Sequence, residues 1–341
     1  MKVAFRVDAS VAIGSGHLMR CFALADELHE RGAAILFVIR AAEQAWQVLL
    51  RQHHLEIVTL PENISDWTQD AAETRIALDN FGSPDWLVVD HYALGIEWEA
   101  AMRDSCGRIF VIDDIGRHHD CDLLLDQNIL DHPESYRDRV PAHCRRLLGP
   151  SYALLRREFR EERARLRNRD GSVRRVLISF GGSDPTGETE KAIEGFLAAG
   201  FEGIIADVVL GSANLRAAEI NQRFATQPRV HLIPHTHQMA SLMAEADLGI
   251  GASGSSSWER CCLGLPSISV AVAENQQKLG LQLHRKGAVY FLGAASDNSA
   301  IEWQGAIIKH SIDAWLRPTS IIALSLVDGL GSSRIADGLF T

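Results

Sequence analysis

The chain has 341 residues, 46 % of them hydrophobic and 23 % charged, with a formal net charge of −10. That length and balance indicate a globular protein of two ordinary domains, and the acidic excess argues against nucleic acid or an anionic membrane surface as a partner. No apolar run reaches the roughly 18–20 residues that span a bilayer, and the start Met-Lys-Val-Ala-Phe-Arg-Val-Asp meets an acidic residue too early for a signal peptide, so a cytoplasmic protein is expected. Cys21, Cys106, Cys121, Cys144, Cys261 and Cys262 form no C-x-x-C pair and read as reduced thiols. The fourteen histidines, including His53-His54, His118-His119 and His235-Thr236-His237, show no regular ligand spacing, so neither metal nor cofactor is expected.

The first half alternates strand-like and helix-like segments. Val3-Ala4-Phe5 is apolar and of strand type, and apolar residues at 18, 22, 24, 25 and 28 fit a helix face. Between them runs a loop with Gly14 and Gly16, where a ligand can approach the backbone closely. The loop lacks the third glycine of a dinucleotide fingerprint and the Gly-Lys-Ser/Thr of a P-loop. His17 falls about where the helix begins, beside free N–H groups and the positive end of the helix dipole, which favours a neutral imidazole. It reads either as a cap or as a general base.

Residues 34–39 read as a buried strand, 42–52 as a helix, 55–58 as a short strand and 66–80 as a helix. Trp86-Leu87-Val88-Val89-Asp90 and Arg108-Ile109-Phe110-Val111-Ile112-Asp113-Asp114 are continuous apolar runs that end in carboxylates, as does the run before Asp8. Such strands between helices imply a parallel sheet covered on both faces, with ligands beyond the carboxyl ends of the strands. The aspartates are then either site residues or ordinary turn residues. Residues 151–172 form a connector after a first domain over 1–150, and the run Arg156-Arg157-Glu158-Phe159-Arg160-Glu161-Glu162-Arg163 reads as a solvated helix face or, alternatively, as a phosphate-binding patch.

A second alternating series begins at residue 173 and runs to about 315. Residues 175–180 form a strand that leads into Gly181-Gly182-Ser183-Asp184-Pro185-Thr186-Gly187 and a helix over 188–199. Strands over 204–210 and 230–233 follow, then Pro234-His235-Thr236-His237-Gln238-Met239 and another helix. Asp247-Leu248-Gly249-Ile250-Gly251 is a strand that runs into Ala252-Ser253-Gly254-Ser255-Ser256-Ser257-Trp258-Glu259, and residues 267–270 form a strand before Glu274-Asn275-Gln276-Gln277. The two glycine-rich turns suit a diphosphate, with backbone donors at Gly182-Ser183 and at Gly254, Ser255 and Ser256. Glu259 then reads as a ribose-diol acceptor or as a first-turn glutamate favoured by the dipole. Residues 316–341 read as a helical segment that packs across both domains.

Together, the motifs R-x-D-x-S-x-x-I-G-x-G-H-x-M-R-C, V-V-D-H-Y, I-D-D, F-G-G-S-D-P-T-G, G-A-S-G-S-S-S-W-E and E-N-Q resemble the PseG family, the UDP-2,4-diacetamido-2,4,6-trideoxy-β-L-altropyranose hydrolases of pseudaminic acid biosynthesis, a route to flagellin glycosylation. The match runs from residue 1 to about 290. Its first motif is fairly specific, and those of the second half are shared with GT-B sugar-nucleotide enzymes including MurG-type glycosyltransferases. The resemblance implies an α/β protein of GT-B type, two Rossmann-like domains facing across a cleft, with UDP on the second and the sugar toward the first. It implies metal-independent hydrolysis of the anomeric C–O bond with inversion, with His17 as the base. Asp8 is expected to orient His17, the water or a sugar substituent. Arg6, Gly14, Gly16, His91, Tyr92, Asn275 and Gln276 are the expected sugar-side residues. Gly182, Ser183, Ile233, His235, Met239, Gly254, Ser255, Ser256 and Glu259 form the expected UDP set. The partner is a small-molecule UDP-sugar, and the oligomeric state is open, a monomer being compatible. A glycosyltransferase, a non-hydrolysing UDP-sugar 2-epimerase and a non-catalytic UDP-sugar sensor are the alternative readings.

Overall fold

The structure is a computed structural model that describes residues 1–8, 16–40, 50, 53, 55–132, 134–234 and 236–340. The chain divides into two units, Met1–Arg157 with Leu330–Thr341, and Glu158–Gly329. In the first unit the strands are β1 (Lys2–Val7), β2 (Ala34–Arg40), β3 (Glu56–Leu60), β4 (Trp86–Asp90), β5 (Arg108–Ile112), β6 (Leu123–Asp126) and β7 (Arg145–Leu148). They form one parallel sheet in the order β3-β2-β1-β4-β5-β6-β7. Helices α1 (Gly16–Glu30), α2 (Trp67–Phe81) and α3 (Ile96–Met102) lie between the strands in sequence.

The apolar runs become strands because helices cover both faces, so a residue on either side of the sheet is buried. β4 is buried at every position and β1 at all but Lys2. Phe5, Phe37, Val88 and Phe110 fill one face with Leu18, Cys21 and Leu24 of α1. Ala4, Leu36, Leu87 and Ile109 fill the other with Leu78 and Trp98. α2 starts where Asp66 accepts the N–H groups of Thr68 and Gln69, and it stops at Gly82, whose φ of 89° only glycine adopts freely.

α4 (Arg157–Ala164) carries the chain into the second unit. That unit holds β8 (Arg175–Ser179), β9 (Ile205–Val209), β10 (Val230–Ile233), β11 (Leu248–Ala252), β12 (Ser267–Ala271) and β13 (Tyr290–Ala294), in the parallel order β10-β9-β8-β11-β12-β13. Its helices are α5 (Glu188–Ala198), α6 (Ala217–Phe224), α7 (Met239–Glu245), α8 (Ser256–Cys262), α9 (Asn275–Lys286), α10 (Ala300–His310) and α11 (Asp313–Leu326). The last helix, α12 (Gly331–Leu339), returns to the first unit. There Gly331 allows close approach to the Ala153 carbonyl, Trp86 Nε1 donates to the Leu339 carbonyl at 3.2 Å, and Arg31 binds Ser333 Oγ at 2.7 Å. Residues 316–341 therefore divide between the two units.

Both sheets have the doubly wound order, in which strand order reverses between β1 and β4 and between β8 and β11. Ligand sites of such sheets lie at that reversal, beyond the carboxyl ends of the strands. The helix expected over 42–52 falls almost wholly outside the described residues. The charged run at 156–163 is not simply a solvated face: Phe159 is fully buried, and Arg163 donates to the carbonyls of Cys262, Leu324 and Val327. No described helix is long and apolar enough to cross a membrane, and all six cysteines are free and buried.

Candidate functional site

At the reversal in the first sheet, His17 is the second residue of α1 and Asp90 the last of β4. His17 Nδ1 lies 2.6 Å from Asp90 Oδ1. Burial alone would raise the Asp90 carboxyl, but Arg20 and His17 hold it well below the usual carboxylate range. An ionised carboxylate only accepts, so the contact with Asp90 places a proton on Nδ1 and leaves Nε2 as the ring's other nitrogen, while Arg20 Nη2 also lies 3.0 Å from Nδ1. Arg20 grips both Asp90 oxygens, at 2.5 and 2.6 Å, and reaches Asp114 Oδ2 at 2.8 Å. Asp114 Oδ1 accepts the Tyr92 hydroxyl at 2.8 Å, and the Tyr92 ring meets His17 edge-on with centroids 4.6 Å apart. A histidine oriented by a buried carboxylate, itself locked by an arginine, is an arrangement that can activate a hydroxyl or a water.

A second ion-pair chain starts on the neighbouring strand. Arg6, fully buried, pairs with Asp8 two residues on and with Asp70 on α2. Asp8 also accepts the Arg40 backbone N–H at 2.8 Å and His91 Nε2 at 2.9 Å. His91 Nδ1 accepts the Ala93 N–H at 3.1 Å, which fixes the proton on Nε2. Burial would raise the Asp8 carboxyl, but the His91 hydrogen bond and the Arg6 charge hold it well below the usual range. The carboxylate that orients His17 is thus Asp90, and Asp8 is engaged by Arg6, Arg40 and His91.

Behind Asp114 lies a third buried group. The Tyr136 hydroxyl is 2.9 Å from Asp113 Oδ2 and 3.0 Å from Asp126 Oδ2, yet it has one proton to give. Asp113 also accepts the N–H groups of Gly116 and Arg117 and the Arg117 guanidinium, which marks it as the ionised partner. Asp126 Oδ2 is the second acceptor within reach of that hydroxyl, so the two carboxylates share one donor. Burial pushes the Asp126 carboxyl up to about 7, with repulsion from Asp114 and Asp113 adding to it against the Asn128 N–H and Tyr136 bonds. The folded chain keeps a proton here that the unfolded chain releases near pH 4, so stability falls as pH rises from about 4 to 7. Asp126→Asn stays neutral throughout. Its Tm relative to the unmodified chain is expected to rise by at least a few degrees between pH 5 and pH 8. An equal difference at both pH values in thermal melts would rule out a buried neutral acid. His119 beside this group is structural: burial would lower it, but Asp113 and Glu99 raise it to about 9.

In the second unit, the turn after β8 is held by Asp184, which accepts the Glu188 and Thr189 N–H groups at 2.9 Å each. Gly181, Asp184 and Gly187 have positive φ, and Gly211 allows close packing against the carbonyls of Gly181 and Gly182. The second turn, Gly254–Ser257, follows β11, the neighbour of β8 in the sheet. Gly182 with Ser183 and Gly254 with Ser255 and Ser256 are thus brought to the same end of adjacent strands. Gln276 leans over Gly254, where an added Cβ would lie 3.3 Å from its Nε2, and Asn275 opens α9 beside it. Glu259 lies within α8. Ile233 ends β10 at the sheet edge, two strands from β8, and Met239 opens α7. Gly16 opens α1, whereas Gly14 and His235 lie outside the described residues. Arg20, Asp126 and Arg260 were not among the expected residues. Their only signal was position, at a strand end or one helical turn from a named residue.

Two parallel-sheet units of doubly wound order define the class: an α/β protein of GT-B type, built of two Rossmann-like domains. Residues 180–298 match the family described as glycosyltransferase family 28 C-terminal domain. Over its whole length the chain has the fold of the Acinetobacter baumannii MurG crystal structure (TM-score 0.71, 13 % identity, 99 % of that chain) and of a UDP-GlcNAc 2-epimerase from Neisseria meningitidis bound to UDP-GlcNAc (TM-score 0.61, 14 % identity, all of both chains).

The resemblance to the PseG family holds across most of the chain. It is 25 % identical over 289 residues to the UDP-2,4-diacetamido-2,4,6-trideoxy-β-L-altropyranose hydrolase of Campylobacter jejuni, covering 84 % of this chain and 97 % of that protein. It is 24 % identical to the spore coat polysaccharide biosynthesis protein SpsG of Bacillus subtilis, covering 98 % and 96 % of the two chains. It is also 25 % identical to the uncharacterized protein MJ1062 of Methanocaldococcus jannaschii over 82 % of this chain, but spans only 57 % of that protein.

Proposed function

We propose that the chain is a UDP-sugar-processing enzyme, and specifically a hydrolase that releases UDP from UDP-2,4-diacetamido-2,4,6-trideoxy-β-L-altropyranose in pseudaminic acid biosynthesis. The observation that carries this reading is the His17–Asp90 pair at the strand-order reversal of the first sheet. Neutral His17 takes a proton at Nε2 from a water, the water oxygen bonds to the anomeric carbon, and the C–O bond to UDP breaks with its electron pair leaving on the diphosphate. Attack from the face opposite the leaving group inverts the anomer through an oxocarbenium-like transition state. UDP is a good leaving group, and donors at Gly182-Ser183 and Ser255-Ser256 of the second unit stabilise its charge. Asp8, Gly16, His91, Tyr92, Asn275 and Gln276 remain the sugar-side candidates, with Ile233, His235, Met239 and Glu259 for the nucleoside; Arg6 is not among them, because it is wholly buried and bound to Asp8 and Asp70.

The glycosyltransferase family 28 match over residues 180–298 supports a second reading, transfer of the sugar to an acceptor hydroxyl. The test is incubation of the purified chain with this UDP-sugar in EDTA, followed by NMR. Free UDP with an inverted reducing sugar supports hydrolysis. Release of UDP only when an acceptor is added supports transfer, and a rearranged UDP-sugar with no free UDP overturns both.

A further inference from the structure

Arg260 of α8 is a buried cation whose hydrogen bonds among the described residues include no carboxylate. It is 3 % exposed, and its Nε has no hydrogen-bond partner among the described residues. Its other nitrogens reach the Ala252 carbonyl at 2.7 Å, Ser257 Oγ at 3.0 Å and Ser256 Oγ at 3.2 Å. Arg169, a half-buried arginine of this unit, is instead used up on the carbonyls of Met243, Ala246, Leu263 and Gly264. Burial pushes the Arg260 guanidinium down to about 10, which the attraction of Cys261 and Glu259 does not offset. A buried charge left without its counter-charge is costly, so its presence calls for a compensating partner.

The side chain is also built into the sheet. Gly249 and Gly251 of β11 face it, and a Cβ at either would come within 3.2 Å of its Cδ or 3.0 Å of its Nη1. The same Gly251 lies against the Ser179 carbonyl at the end of β8. The guanidinium thus occupies a slot at the strand-order reversal of this sheet, where ligands of doubly wound folds bind, and beneath the turn that carries Ser255 and Ser256. Because Ser256 Oγ accepts from Arg260, its own O–H is left to donate.

We propose that Arg260 is a positioning residue for a diphosphate: its counter-charge arrives with the ligand, and it sets the Ser256 hydroxyl as a donor toward that ligand. The inference rests on the reading that the second unit binds UDP. The test is calorimetric titration of the full chain, Arg260→Met, Arg260→Lys and Ser256→Ala with UDP and with uridine, at low and high salt. UDP binding is expected to weaken roughly 10- to 100-fold in Arg260→Met, with a smaller salt dependence, while uridine binding holds. Arg260→Lys keeps the charge but not the fork and falls between, and Ser256→Ala weakens UDP alone by a few-fold. If Arg260→Met does not fold, the lysine and alanine variants carry the same comparison. Equal loss of UDP and uridine binding, or no loss of either, overturns the role of Arg260. A native chain that binds no UDP overturns the UDP reading and this inference together.

Discussion

His17→Asn is expected to lower kcat by about 10²–10⁴-fold, the range for loss of a general base, with UDP affinity unchanged. Asp90→Asn is expected to fall in the same range. In the native pair an ionised Asp90 draws the ring proton to Nδ1 and leaves Nε2 basic. An asparagine can turn its amide N–H toward Nδ1, which pushes the proton to Nε2 and removes the base without removing the histidine. Arg20 keeps its second anchor on Asp114 in this variant, so the site is not dismantled. Groups that act as a unit are non-additive. The double variant should therefore be no slower than His17→Asn within a few-fold. Initial rates of UDP release by NMR, with calorimetry for UDP, give all four corners of the cycle. Near-native turnover in His17→Asn would falsify the base assignment. Multiplicative losses in the double variant would instead separate Asp90 from His17.

Much of this site was legible before the fold was known, but its wiring was not. The glycine-rich loop followed by a helical pattern placed His17 at a helix start, and the runs ending in Asp8, Asp90 and Asp113-Asp114 placed carboxylates at strand ends. Which carboxylate meets His17 depends on how α1 lies across β1 and β4. Asp8 is closer in sequence, but it leaves β1 paired with Arg6 and His91, and Asp90, 73 residues away, takes the ring. The same limit hid Arg260, which reads as an ordinary charge in a helix until Gly249 and Gly251 are seen to open a slot for it. Strand β13 escaped because Tyr290-Phe291-Leu292-Gly293-Ala294 lies at the sheet edge, half-buried throughout and broken by a glycine, so it lacks the continuous apolar run of β4. β6, four residues long, was not read either.

Arg6→Met is expected to cost the chain about 3–5 kcal/mol, the range for breaking a buried ion pair from one side. Arg6 is wholly buried between Asp8 and Asp70, and both carboxylates are nearly so. Among the described residues, Asp70 then keeps the Trp98 indole N–H at 3.0 Å and a Thr74 hydroxyl at 3.3 Å, and Asp8 keeps His91, the Arg40 N–H and the Arg40 guanidinium at 3.7 Å. Asp70 is left with neutral donors beside the Asp8 carboxylate in a low-dielectric interior. The pH dependence identifies this cause. In the native chain Asp8 lies below its unfolded value, so its contribution is present above about pH 4 and is lost as pH falls. In the variant the stranded carboxylates relieve their repulsion by taking up protons, so the variant is destabilised least in acid. Urea unfolding should therefore show the full deficit at pH 7 and a much smaller one at pH 4.5. Converting the carboxylates as well, in Arg6→Met with Asp8→Asn and Asp70→Asn, removes the charges altogether and should recover most of the loss, since a buried triad replaced as a whole is often close to neutral. A deficit that is the same at both pH values, and is not recovered by the triple variant, would mean that Arg6 acts through packing of its side chain and not through its charge.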